Sequence, residues 1–142
     1  LHVFHHKTSR RNHLNLKENI DDKFCFIPWD LDGSFGLFYD GTHADYTGIL
    51  ANTLFERLIG TDTDDFKNKL KQRWSSLREN TLSDIELKQM YIDNFIIINL
   101  SEIIDIENKK WGSNIDINSE QQYLIDWLEN RLIFLDTYFD DL

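Results

Sequence analysis

The sequence predicts an α+β fold that is mostly α, with an N-terminal β-hairpin followed by about four helices. Three observations predict it. Residues 1 to about 44 place apolar residues in short alternating runs, the period of strands. Residues 45 to 142 space them three and four apart, the period of helices. The only proline is Pro28, so nothing of that kind interrupts the helical part. At 142 residues with 41% hydrophobic content, the chain suffices for one domain with a core, residues 1–142, divided into 1–44 and 45–142.

The elements follow in order. In "HLNLK", Leu14 and Leu16 share a face; in "KFCFIPWD", Phe24 and Phe26 alternate with Cys25 and Ile27. The polar "ENIDD" between them makes the turn of a β-hairpin. Pro28 has no N–H to donate, so ladder pairing ends there and the strand delivers Asp30 at its tip. The first helix is expected over "YTGILANTLFERLIG", with Leu50, Leu54 and Leu58 four apart and Gly60 as its stop. The second is expected to open in "TDTDDF", whose acids suit a helix N-terminus, and to bury Phe66, Leu70, Trp74 and Leu77. "SDIE", Ser83 to Glu86, reads as a capping box for a third helix running to about Lys110, with Trp111 closing it before Gly112. Within it "FIIINL" fits a strand as well as a helix. The fourth begins near Asn118 or Ser119 and carries Leu124, Trp127, Leu128, Arg131, Leu132, Leu135 and Phe139 on one stripe. Arg131 on that stripe is expected to pair with an acid of another helix. The runs "TDTDD" and "DTYFDDL" otherwise read as solvated.

Charge and composition exclude several function classes. The formal charge is -10, which opposes nucleic-acid binding, since a phosphate backbone needs a basic face. The longest apolar stretch, residues 95–100, is far too short to span a bilayer. No signal peptide is visible, and a single cysteine, Cys25, forms no internal disulfide. Cys25 reads as a small buried hydrophobe. His2, His5, His6 and His13 cluster near the start, but no cysteine accompanies them, and His5 and His6 would face opposite ways on a strand. They read as bland residues, as does His43 in a solvated loop. The tryptophans Trp29, Trp74, Trp111 and Trp127 read as packing residues.

The chemistry lies in "FIPWDLDGSFG", residues 26–36. Asp30 and Asp32 are two apart, so a continued strand points both carboxylates the same way. Two such groups can share a hard cation such as Mg²⁺; without one they repel, and one tends to keep its proton. Gly33 and Gly36 let the backbone turn and let a phosphate approach. The alternative is a loop whose aspartates cap turns or a following helix.

"RRNHLNL" with "KFCFIPWDLDGSFG", then "NTLFERLIG", "DDFKNKLKQRWSSLRENTLS" and "WLENRLIFLDTYF", resembles the CotH kinase-like family, named for a bacterial spore coat protein, over nearly the whole chain. The resemblance implies the C-lobe of an atypical protein-kinase-like fold. It implies that the WDLD segment stands where kinases have D-F-G, so that Asp30 is a metal ligand, with Asp32 beside it and Asn12 as the catalytic-loop asparagine. Asn12 and Asp30 would then also meet the nucleotide, and the cofactors implied for the complete protein are Mg²⁺ and ATP. The partners implied are a protein substrate or a coat or surface protein, and the setting a bacterial coat, cell surface or secreted one.

Two departures qualify that implication. The kinase loop reads H-R-D, four residues, then Asn. Counting back from Asn12 places His5 at the histidine and Lys7 where the aspartate belongs. A protonated lysine has no acceptor for a substrate hydroxyl proton, and no acid precedes Glu18. Arg10 and Arg11 in the same loop could meet phosphate, or simply be solvated. Second, no nucleotide-covering lobe precedes Leu1, so the chain reads as a fragment and is expected to be inactive alone. Three functions stay open: the C-lobe of a Ser/Thr protein kinase, a pseudokinase, and a spore-coat-type attachment protein without catalysis.

Overall fold

A computed structural model describes residues 34–49 and 53–142. The chain groups into two compact units, Leu1–Leu50 and Ala51–Leu142. The expected strands over Leu14–Lys17 and Lys23–Trp29 lie outside the described residues, as does Leu50.

The described part is mostly helical, with five helices: α1 (Thr53–Thr61), α2 (Phe66–Arg78), α3 (Asp84–Leu100), α4 (Ile103–Trp111) and α5 (Ile117–Asp140). Gly60 is not the stop expected of it; it lies inside α1, which ends one residue later. The left-handed residue that terminates the helix is Asp62, at φ 47°. The acids of "TDTDD" do not form the first turn of α2 either. They make the turn before it, with Asp62, Asp64 and Asp65 all at positive φ. From there Asp62 accepts the N–H of Lys67 at 2.9 Å, which gives α2 its N-terminal partner from outside the helix.

Ser83 caps α3 as expected, its hydroxyl accepting from the N–H of Glu86 at 3.3 Å. "FIIINL" is helical, but one continuous helix to Lys110 is a misreading. Glu102 adopts φ 54°, and this single left-handed residue separates α3 from α4. Helical periodicity alone did not register it, because the residues on both sides keep their apolar spacing. Gly112 closes α4 at φ 65°, a backbone region where glycine meets no Cβ penalty. Asn108 then clasps the loop, exchanging hydrogen bonds with the backbone of Ile115 at 2.8 and 3.1 Å. Asp116 caps α5 through Asn118 N–H and the Ser119 hydroxyl. Those bonds, led by the one from Ser119, hold its carboxyl below the usual aspartate range.

The core sits between α3 and α5, with α2 packed on α5 and α1 on α2. Its buried members are Leu87, Tyr91 and Phe95 from α3, four apart, and Trp127, Leu128 and Leu132 from α5. Trp74 packs on it and stacks on Phe139 at 4.9 Å. The α5 stripe read from sequence is therefore the buried face. Trp111 differs from expectation: it is 69% exposed, its indole donating to Glu107 with Lys110 over its ring. Among the described residues no helix is long and apolar enough to cross a membrane.

Burial pushes the Tyr91 phenol up to about 12, against roughly 10 for a free tyrosine. The unfolded chain therefore loses that proton first. The stability tied to the neutral phenol is whole below about pH 10 and is lost as pH rises from there toward 12. Tyr91→Phe is expected to lose less melting temperature than the parent between about pH 9 and about pH 11; equal losses in a thermal melt series would contradict this.

Candidate functional site

The described flank of the aspartate motif begins at Ser34. The N–H of Leu37 reaches back to the Ser34 carbonyl at 3.4 Å, closing a turn around Phe35 and Gly36. Phe35 holds φ 56° and Gly36 φ 90°. A phenylalanine in the left-handed region costs roughly 1–2 kcal/mol, so its neighbours must hold it there. Gly36 is buried, and its carbonyl accepts from the N–H of Ala44 at 2.8 Å. Sequence reading attached backbone freedom and room for a phosphate to this glycine; the structure adds that its carbonyl is engaged by Ala44.

The chain then makes a short hairpin. Leu37 and His43 form an antiparallel bridge. Phe38 N–H donates to Thr42 at 2.8 Å, and Gly41 N–H to Phe38 at 2.9 Å. Gly41 has φ 80°, the left-handed position that this kind of hairpin turn requires. Asp40 locks the tip by accepting from the Thr42 hydroxyl at 2.7 Å and the Thr42 N–H at 3.0 Å. The Thr42 bonds hold its carboxyl below the usual range. Asp45 repeats the device with Thr47 at 2.9 and 3.0 Å. His43 is exposed, as expected, but as part of this hairpin rather than of an irregular loop.

Asn12, Asp30 and Asp32 lie outside the described residues, as do Lys7, Arg10, Arg11, Gly33, Cys25, Trp29 and the histidines before His43. Among the described residues no three His, Cys, Asp or Glu side chains converge to hold a metal.

The densest polar constellation of the helical unit is a structural one that sequence reading missed. Asp136, read as solvated within "DTYFDDL", accepts from the Trp74 indole at 2.8 Å and from Arg78 Nε and Nη2 at 3.0 and 3.3 Å. Arg78 also donates to the Leu82 carbonyl at 2.6 Å and pairs with Asp84 at 2.7 Å. Burial alone would lower the guanidinium, but the Asp136 and Asp84 bonds outweigh it and hold it above its ordinary value. Arg78 thus makes an arginine–acid pair between helices. Arg131 is buried with its guanidinium 5.5 Å from the Phe134 ring. The signal that could have found Asp136 is its place one turn after Leu132 and three before Phe139, at the edge of the buried stripe. Asp136→Ala takes the acceptor from the half-buried Trp74 indole and from one edge of Arg78, which keeps Asp84 and the Leu82 carbonyl, and is expected to cost about 1–2 kcal/mol after allowance for solvent access. Asp140→Ala, whose side chain takes no part, serves as the comparison in thermal melts; equal effects would exclude the network.

The description "CotH kinase protein" belongs to a family model that matches residues 7–135. No curated protein and no solved structure matches the chain.

Proposed function

Because the chain belongs to the CotH kinase protein family, we propose that it forms the C-lobe-like part of an atypical protein kinase whose complete form transfers phosphate from ATP to serine or threonine of a protein. The observation that carries this reading is the family match itself, which spans the PWDLDGSFG segment together with Asn12. In this reading a β-hairpin over residues 14–29 delivers Asp30 and Asp32, and Asn12 comes from the preceding loop. The donor set suits the cofactor by its chemistry: two carboxylates and an amide oxygen are hard ligands, and Mg²⁺ takes oxygen while keeping several waters. When bound, the ion would be held by Asp30, Asp32 and Asn12 and would supply positive charge against the phosphates. The protein's own contribution is placement of those oxygens, supported by the tight turn from Ser34 to Leu37 directly after them.

A specific observation favours a second reading. Lys7 stands at the position of the proton-accepting aspartate. A cationic side chain there cannot take the acceptor hydroxyl's proton, so a pseudokinase that binds nucleotide without transferring phosphate is the runner-up. An attachment protein of the spore-coat type, without nucleotide, is the third.

One experiment separates them. ATP binding by the complete protein is measured with and without Mg²⁺, beside transfer of labelled γ-phosphate. Mg²⁺-dependent binding with transfer supports the kinase. Binding without transfer, with transfer appearing in Lys7→Asp, supports the pseudokinase. No binding of ATP leaves attachment.

A further inference from the structure

The chain reverses twice between Ser34 and Ala44, and the two reversals differ. The later one, from Phe38 to Thr42, puts a glycine where its backbone is left-handed, Gly41 at φ 80°. The earlier one, from Ser34 to Leu37, has positive φ at both central residues. That is the pattern of a type I′ turn, in which glycine, asparagine and aspartate dominate. Its first central residue is instead Phe35, at φ 56°. A phenylalanine persists there only when its surroundings over-determine it, and strain of this kind collects where function needs a fixed shape.

The hairpin does not require the strain. Its bridge between Leu37 and His43, its bonds from Phe38 to Thr42 and from Gly41 to Phe38, and the Asp40 lock all lie within residues 37–43. A separate bond ties the earlier turn to the far side of the hairpin, from Ala44 N–H to the carbonyl of the buried Gly36 at 2.8 Å. With Gly36 held and two successive φ angles set, the direction of the chain at Ser34 is set as well. Asp32 is two trans peptides before Ser34, at most about 7 Å of chain. Mg²⁺ demands near-ideal octahedral geometry, so an error in the direction of a ligand costs affinity. We propose that Phe35 and Gly36 are positioning residues for the candidate metal ligands: their left-handed turn, clamped by Ala44, aims the Asp30–Asp32 segment. The proposal rests on the nucleotide-binding reading above and adds to it the residues that hold the ligands in place.

The test titrates Mg²⁺ into the complete protein at fixed ATP and reads half-saturation of ATP binding, with a thermal melt of each variant. Phe35→Val and Phe35→Asn remove the same ring, but valine resists positive φ and asparagine accepts it. Phe35→Val is expected to raise the Mg²⁺ concentration at half-saturation about tenfold or more, as loss of a group that orients a ligand does. Saturating Mg²⁺ then restores ATP binding. Phe35→Asn is expected to stay close to the parent. Gly36→Ala, strained at φ 90°, is expected to follow Phe35→Val; if it does not fold, the Phe35 pair decides. Gly41→Ala imposes the same kind of strain with nothing within 4 Å of the added methyl, and is expected to leave the half-saturation unchanged. Equal half-saturation in Phe35→Val and Phe35→Asn, or an equal shift in Gly41→Ala, overturns the proposal while the metal reading stands. A parent without Mg²⁺-dependent ATP binding removes that reading and this proposal with it.

Discussion

Truncating the chain at Ser119, which removes nearly all of α5, is expected to abolish cooperative unfolding of the helical unit. Among the described residues, helix α5 supplies Trp127, Leu128 and Leu132, half of the six buried core residues, and it is the element against which both α2 and α3 pack. Each of those side chains contributes roughly 1.5–3 kcal/mol by burial. Their loss alone rivals a domain's whole stability of about 5–15 kcal/mol. Leu87, Tyr91 and Phe95 would also lose their cover, and Arg78 and Trp74 would lose Asp136. The measurement is a thermal melt followed by circular dichroism. A truncated chain that still melts in one sharp transition would mean that the core is not where burial places it. A graded version keeps the chain intact: Leu128, 3% exposed, is the most buried of the six, and Leu128→Ala is expected to cost about 2–5 kcal/mol.

Asp30→Ala in the complete protein is expected to remove Mg²⁺-dependent ATP binding. Loss of a group that merely orients a metal ligand weakens a site roughly 10–100-fold. Loss of a carboxylate ligand itself should exceed that, since the remaining donors, Asp32 and Asn12, then carry one negative charge in place of two. Asp32→Ala is expected to act in the same direction. The readout is a titration of ATP with Mg²⁺ present and absent, with a melt of each variant as the check on folding. If both variants fold and bind ATP and Mg²⁺ as the parent does, the aspartates cap turns, and the metal reading of the motif is lost.

Some of this could be read directly from the chain. The Ser83 cap and the positions of Leu124 to Leu135 rest on interactions within a turn or two, and such short-range physics is written into adjacent residues. The aspartate motif was likewise read from local spacing, that of Asp30 and Asp32, and its metal role belongs to the proposal. The corner at Glu102 was not, because a left-handed residue needs only its own φ to change and leaves the apolar spacing intact. Nor was the turn of acids before α2, where composition suited a helix start but the backbone stopped one residue short.

What the sequence determined by itself is the family, the helical class and the buried stripe of the last helix. What only the tertiary structure decided is which neighbours meet. Asp136 and Arg78, 58 residues apart, become one network only because α5 lies on α2. The same periodicity left Leu128 inside and Leu100 outside. Periodicity states which faces of a helix are apolar, but burial needs a second surface to press against, and that surface comes from distant chain.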